Sequence, residues 1–148
     1  MNIPVYVTVE EVQRVCNALK IRDWTGLTDA VVPPEEARAI LGEIDSDGLE
    51  IDIESFRRGL EVELEHGTRY PSANVTNNHP ILTGKIVLAH LKETMDYYDR
   101  LEVAELEGDI FKALLAGNSE KLLRYLKKLV LAKHVLTAVE SGRIGSGL

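Results

Sequence analysis

Two acid–histidine pairs are the residues of this sequence whose types and spacing could carry chemistry. Glu63 precedes His66 by three positions, and His90 precedes Glu93 by three positions. Side chains at this spacing lie on the same face of a helix, so the members of each pair can converge. Carboxylate and imidazole groups from neighbouring helices are ligands that suit zinc, iron or manganese. The pattern predicts a divalent-metal site formed by Glu63, His66, His90 and Glu93.

The expected register of the helices favours a structural alternative to this metal site. If the two helices run antiparallel and are joined by a loop over 67–81, His66 and His90 lie about 12 Å apart along the helix axes. In that register the two pairs do not meet. We therefore favour local polar contacts that tie the helices together, and keep the metal site as the alternative.

A second group of carboxylates surrounds Gly48. With Gly48 at the sixth position of a calcium-binding loop, positions one, three, five and twelve are Glu43, Asp45, Asp47 and Glu54. The match is partial, because the first position is normally Asp and the sequence offers no second loop to pair with this one. We favour a capped turn between two helices, with a weak calcium site as the alternative.

Common catalytic motifs are absent from the sequence. It contains no G-x-S-x-G, Walker glycine loop, dinucleotide fingerprint, HExxH or CxxC. The single cysteine, Cys16, falls on the apolar side of a predicted helix, where a thiol behaves as a small hydrophobe. No complete catalytic set can be assigned.

Composition narrows the class of protein. The chain has 148 residues with 17 Lys plus Arg and 24 Asp plus Glu, a net charge of −7 that disfavours DNA as a partner. A lone cysteine and the lack of a signal-peptide pattern indicate the cytoplasm. No apolar run approaches the roughly 20 residues that a membrane span requires. We expect one soluble, cytoplasmic domain over 1–148.

Helical periodicity and capping residues predict an all-α fold, a compact bundle of five or six helices. At its centre we expect an antiparallel hairpin of helices 53–66 and 82–106, the first ended by Gly67 and the second interrupted by Gly108. Trp24 is expected in a loop that packs into the core. The other predicted helices cover 9–20, 34–43, 109–116 and 119–141, followed by a flexible tail, 142–148.

The predicted C-terminal helix is amphipathic and basic. Its apolar stripe consists of Leu122, Leu126, Leu129, Ala132, Leu136 and Val139, and its opposite side carries Arg124, Lys127, Lys128 and His134. Because the rest of the chain is acidic, we expect this helix to pack on its own chain, on a second copy or on another protein.

Three motifs between residues 45 and 105 resemble those of a small uncharacterised domain family of bacterial, archaeal and phage proteins. They are the stretch G-L-E-V-E-L-E-H-G from Gly59, N-V-T-N from Asn74, and L-T-G-K-I-V-L-A-H-L from Leu82. The resemblance implies no known reaction. Together with the missing catalytic motifs, it favours a non-enzymatic interaction or assembly module, including a homodimer formed through the C-terminal helix. The alternative is a metal-binding helical domain.

Overall fold

The computed structural model describes residues 6–146, and within this range it contains helices and loops but no strand. The all-α prediction is therefore confirmed. The chain divides after Glu93 into two compact units. The first contains four α-helices and the second contains two: α1 Val9–Leu19, α2 Pro34–Gly42, α3 Ile53–Arg69, α4 Pro80–Glu93, α5 Tyr97–Leu115 and α6 Ser119–Ser146.

Local capping explains where the helices of the first unit begin. The Thr8 hydroxyl accepts a hydrogen bond from the Glu11 backbone amide at 3.2 Å, and the Asp52 carboxylate accepts one from the Ser55 amide at 2.9 Å. Pro34 occupies the first turn of α2. Each of these groups satisfies or removes a backbone N–H that the helix leaves without an internal acceptor. The starts predicted for these three helices are confirmed.

The core of the first unit is built on a tryptophan anchored by a buried carboxylate. Trp24 is fully buried, as predicted, and its Nε1 donates to Glu36 Oε2 at 3.0 Å. Arg22 donates to the same carboxylate through its backbone N and through Nε at 2.8 Å. The apolar side chains with essentially no exposure in this unit are Val12, Cys16, Val32, Ala37, Ile40, Phe56, Leu60, Leu64, Val87 and Leu91. Burial of each larger side chain contributes roughly 1.5–3 kcal/mol.

Gly67 does not end α3, which continues to Arg69. A Cβ atom at position 67 would lie 1.9 Å from Asn78 Oδ1 and 2.9 Å from Asn74 Nδ2. Asn78 is buried, and its Nδ2 donates to the Trp24 carbonyl at 3.3 Å. The glycine therefore provides room for the close approach of the 74–79 loop rather than a helix stop.

The second unit is an antiparallel pair of helices, α5 and α6. Glu107 Oε1 lies 2.7 Å from Lys133 Nζ, and Arg100 Nη2 donates to Glu140 Oε1 at 2.8 Å. These contacts set the register, with residue 107 level with 133 and residue 100 level with 140. The connecting turn uses Gly117 at φ 63°, a conformation that favours glycine.

Three predicted boundaries in residues 82–148 are wrong. The expected helix 82–106 is divided at residues 94–96, and the expected interruption at Gly108 is absent because α5 runs through it to Leu115. No atom lies within 4 Å of a Cβ built at Gly108, so packing does not require glycine at this position of the helix. Residues 142–146, predicted as part of a flexible tail, belong to α6. Residues 147 and 148 lie outside the described range.

None of the helices in the described part of the chain is long and apolar enough to cross a membrane.

Candidate functional site

Glu63 lies between the two histidines of the predicted acid–histidine pairs. Its Oε2 lies 4.0 Å from His66 Nδ1, and its Oε1 lies 3.5 Å from His90 Nε2. The Glu63 side chain is 14% exposed and that of His90 is 27% exposed, whereas that of His66 is 73% exposed. A largely buried carboxylate thus lies between one half-buried and one exposed imidazole.

An antiparallel register of α3 and α4 predicted about 12 Å between His66 and His90 along the helix axes. The way in which the two helices cross nevertheless allows Glu63 to lie near both histidines. A Cβ at Gly84 would lie 3.2 Å from Phe56, while His90 lies beside Glu63. Along this contact, residue numbers rise together on the two helices. The contact between α3 and α4 is therefore not the aligned antiparallel one expected from the sequence. Glu63 consequently lies near one histidine on each helix.

Glu63, His66 and His90 together offer side-chain groups that are able to coordinate a metal ion. One carboxylate and two imidazoles are three of the ligands that a zinc ion accepts, and a catalytic zinc site adds water as the fourth. Glu93, the fourth predicted ligand, is exposed at the last position of α4. Among residues 6–146, no set of three or more His, Cys, Asp or Glu side chains has an arrangement that would hold a metal ion as it stands. Metal binding would therefore require the three side chains to adjust.

The predicted calcium loop is a turn between α2 and α3. Glu43 caps α2, and Asp45 Oδ1 accepts from the Asp47 backbone amide at 2.9 Å. Asp47 also forms an ion pair with Lys92 of α4, and Glu54 accepts from Arg57 Nε at 2.9 Å. These contacts give two of the four proposed ligands, Asp47 and Glu54, a protein cation as partner.

The predicted apolar stripe of α6 lies on its inner side. Ala132 is buried, while Leu122, Leu129, Leu136 and Val139 are half-buried. This is the side that packs on α5. Leu126 is the exception, with 43% exposure.

A second apolar surface on the same unit was not anticipated from the sequence. We call it the hairpin patch, and it consists of large apolar side chains that are 43–72% exposed: Phe111, Leu114 and Leu115 on α5, and Leu123, Leu126, Val130, Leu131 and Val135 on α6. Monomeric proteins rarely leave so many large apolar side chains of one two-helix unit in contact with water. The sequence feature that could have indicated exposed apolar residues is the uninterrupted apolar run Leu129–Ala132. Four consecutive residues of a helix point in different directions, so they cannot all belong to one buried stripe.

Basic side chains lie among the residues of the hairpin patch on α6. A shallow depression on this helix is lined by Leu123 and Leu131 together with Glu120, Arg124, Lys127 and Lys128. Arginine and lysine stems cover apolar surface while their charged ends remain in water. Apolar and basic side chains are therefore interspersed on this part of α6.

A polar cluster closes the other end of the second unit. The Asp96 carboxylate accepts a hydrogen bond from Arg100 Nη2 at 2.9 Å, lies 3.3 Å from Arg143 Nη1, and also accepts one from the Thr94 hydroxyl. Burial raises the pKa of this carboxyl, but the hydrogen bonds from Arg100 and Thr94 outweigh it and hold the pKa at about 2. The cluster joins the start of α5 to the end of α6 and explains the helix break at residues 94–96.

Comparison with known proteins identifies one family. Residues 12–107 match the model of a family described as a protein of unknown function, DUF5661. The match begins well before the segment 45–105 on which the resemblance in the sequence rests, and it includes most of α1, all of α2 and the Trp24 loop. No curated protein and no solved structure matches the chain.

Proposed function

Because the chain belongs to the DUF5661 family, whose function is unknown, we propose a function from its surfaces: it is a non-enzymatic, cytoplasmic interaction module that associates with a second copy of itself through the hairpin patch. The observation that carries this proposal is the set of eight large apolar side chains, 43–72% exposed, on one two-helix unit. Two helices enclose too little volume to bury an apolar face on both sides, and a second pair of helices would cover it.

Energetics support association through this surface. Removing apolar surface from water contributes roughly 25 cal/mol per Å², and a stable dimer buries about 800 Å² on each partner. The hairpin patch extends over both helices and supplies side chains of the size that contributes most to such contacts. The single cysteine, Cys16, is consistent with the proposed cytoplasmic location, because a chain with one cysteine cannot form an internal disulfide. Cys16 is buried, and burial raises the pKa of its thiol.

The charge of the two helices favours a second copy over an unrelated partner. Between Tyr97 and Leu115, α5 carries five acidic and two basic residues, whereas α6 carries two acidic and six basic residues between Ser119 and Ser146. A surface that presents both signs is complementary to another copy of itself. A partner of a single sign would gain attraction from only one of the two helices.

Analytical ultracentrifugation of the full chain tests the proposal. We expect a dimer at micromolar concentration, and a shift toward monomer in the variant Val130→Glu, Leu131→Glu. Glutamate is compatible with a helix, so the variant should keep its circular dichroism spectrum. The control is Val75→Glu, which places one glutamate at an apolar position that is 84% exposed in the first unit. A wild type that stays monomeric at several hundred micromolar would contradict self-association.

A second candidate function, divalent-metal binding, is favoured by the position of Glu63 within 4.0 Å of two imidazoles. The proposed ligands are Glu63, His66 and His90, with zinc, iron or manganese as the metal. Elemental analysis of freshly purified, tag-free protein tests it. Near-stoichiometric metal in the wild type should be lost from His66→Ala, His90→Ala and kept in His134→Ala, a histidine exposed on α6. Absence of metal from the wild type would leave Glu63 as a structural contact between α3 and α4.

A further inference from the structure

A buried histidine lies at the start of α4. His79 immediately precedes Pro80, the first residue of the helix, and is 8% exposed. Its backbone carbonyl accepts hydrogen bonds from the Thr83 amide at 2.9 Å and from the Thr83 hydroxyl at 3.0 Å. Its Nδ1 accepts one from the Leu82 amide at 3.4 Å. His79 therefore occupies the N-cap position, and its imidazole satisfies an N–H group that the helix leaves without an internal acceptor.

The hydrogen bond from Leu82 to the ring exists only while the imidazole of His79 is neutral. A ring nitrogen that carries a proton cannot accept a hydrogen bond, and in the protonated imidazole both nitrogens are donors. Protonation would therefore direct an N–H group of the ring at the Leu82 amide. It would also place a positive charge at a helix N-terminus, where the macrodipole opposes it. One proton thus replaces an attraction in the first turn of α4 by a repulsion.

The surroundings of His79 favour the neutral ring. Burial has the largest effect on the pKa of His79 and lowers it from its ordinary value of 6.5. Glu11 of α1 raises this pKa and Arg14 of α1 lowers it, and these two side chains form an ion pair with each other at 2.7 Å. From α3 the loop is approached by Gly67, and the first turn of α4 also carries no charge. Folding is therefore coupled to the loss of a proton from His79.

The loop that ends at His79 is held in an uncommon conformation by its contacts. Asn77 and Asn78 have φ angles of 50° and 58°, in the left-handed region that residues other than glycine seldom adopt. Asn77 Nδ2 donates to the Val7 carbonyl at 2.7 Å, and Asn78 Nδ2 donates to the Trp24 carbonyl at 3.3 Å. These two bonds join the loop to the segment before α1 and to the core. A change at His79 acts on the residue next to the second bond.

We propose that His79 is a pH-sensitive cap of α4, which holds the 74–79 loop in place while its imidazole is neutral and releases the loop when the imidazole is protonated. This inference depends neither on the proposed self-association nor on metal binding. Its basis is the Leu82 amide, which meets an acceptor in one state and a donor in the other, beside two residues whose backbone conformation costs free energy. Release begins as the pH falls below about 6.5.

Unfolding of the wild type and of His79→Asn over a range of pH tests this coupling. Asparagine is an effective N-cap, and its amide oxygen accepts hydrogen bonds without titrating. Relative to this variant, the unfolding equilibrium constant of the wild type should rise about threefold or more between about pH 7.5 and 5.5, because protonation favours the unfolded chain. All other titratable groups are common to both chains, so their contributions cancel in the ratio. Trp24 fluorescence in urea gives both constants, and a ratio that does not change with pH would overturn the proposal.

Hydrogen exchange locates the release within the structure. In the wild type, the protection of the Leu82 amide should fall about threefold or more over the same pH range. It should change little in dilute urea, because local release exposes little surface. The Val87 amide, in the middle of α4, should exchange only through larger openings, which urea promotes. Equal protection and equal urea dependence at Leu82 and Val87 would overturn release of the loop as a separate step.

Titration of the His79 ring by NMR gives a readout that needs no variant. Through-bond assignment identifies its imidazole signal among the four histidines of the chain. The signal should titrate with a midpoint below 6.5. A midpoint at or above 6.5 would overturn the proposal even if His79→Asn did not fold, because the folded state would then not prefer the neutral ring.

Discussion

Arg143, near the end of α6, lies with its Nη1 3.3 Å from the Asp96 carboxylate, immediately before the start of α5. Arg100 donates to the same carboxylate at 2.9 Å and also to Glu140, so one charged cluster joins the start of α5 to the end of α6. The Asp96 side chain is fully buried, while those of the arginines are about half exposed. The buried Asp96 carboxylate, with its two arginine neighbours, therefore holds the start of α5 against the end of α6.

Replacing Asp96 by Asn should destabilise the second unit by about 2 kcal/mol, because the contacts with Arg100 and Arg143 lose their charge-assisted character. The helical circular dichroism signal during urea unfolding measures this loss. Glu120→Gln, an exposed change in the first turn of α6, is the control and should shift the unfolding free energy by less than about 0.5 kcal/mol. Equal effects of the two substitutions would contradict the role assigned to Asp96.

Acid should weaken the same cluster in a defined pH window. The pKa of Asp96 is lowered from 3.8 to about 2, so the folded state holds this carboxyl ionised more strongly than the unfolded chain does. The stability that this provides is fully present above about pH 4 and is lost as the pH falls toward 2. Wild type and Asp96→Asn should therefore differ at pH 6 and converge near pH 2. A difference in unfolding free energy that stays constant over this range would contradict the lowered pKa.

Glu36→Gln should destabilise the first unit by about 2 kcal/mol. Burial raises the pKa of Glu36, but hydrogen bonds from Arg22 and Trp24 outweigh it, and the pKa lies below its ordinary value of 4.5. The ionised form is thus favoured by folding, and its contribution falls as the pH drops below that value. Fluorescence of Trp24, the only tryptophan, reports unfolding of this unit directly.

The neighbouring carboxylate provides the control for this substitution. Glu35→Gln changes an exposed residue in the same first turn of α2 and should cost less than about 0.5 kcal/mol. If Glu36→Gln unfolds at the same urea concentration as Glu35→Gln, the carboxylate is not the anchor of Trp24.

Sequence patterns predicted the features that depend on near neighbours. The starts of α1, α2 and α3 follow from Thr8, Pro34 and Asp52, each of which acts on its own first turn. Burial of Trp24 followed from its size and from the loop around it. Local chemistry of this kind is visible within a few residues of sequence.

Features that depend on distant residues were missed. The break before α5 is stabilised in part by Arg143, 47 positions after Asp96. The role of Gly67 depends on Asn78 packing against it, and the contact between Glu63 and His90 depends on how α3 crosses α4. In each case the partner was present in the sequence, but spacing along the chain could not show that the two residues meet.

The metal proposal predicts a dependence of stability on chelation. If Glu63, His66 and His90 hold zinc in the purified protein, excess chelator should lower the melting temperature by several degrees, since an ion bound only to the folded state stabilises it. His66→Ala, His90→Ala should melt at the same temperature with and without chelator, whereas His134→Ala should respond as the wild type does. An identical melting temperature for the wild type in both conditions would favour the structural role of these residues.

Two glycines within helices should respond in opposite directions to alanine. At Gly67 a Cβ would lie 1.9 Å from Asn78 Oδ1, so Gly67→Ala must displace the loop that packs against Trp24, at a cost of about 2 kcal/mol or more. At Gly108 no atom lies within 4 Å of the added Cβ, and Gly108→Ala should stabilise α5 by roughly 0.5–1 kcal/mol because alanine restricts the unfolded chain. Trp24 fluorescence for the first variant and helical circular dichroism for the second give the two unfolding free energies. Stabilisation by Gly67→Ala would show that the loop accommodates the methyl group without loss, and the close approach would then not be the reason for glycine at this position.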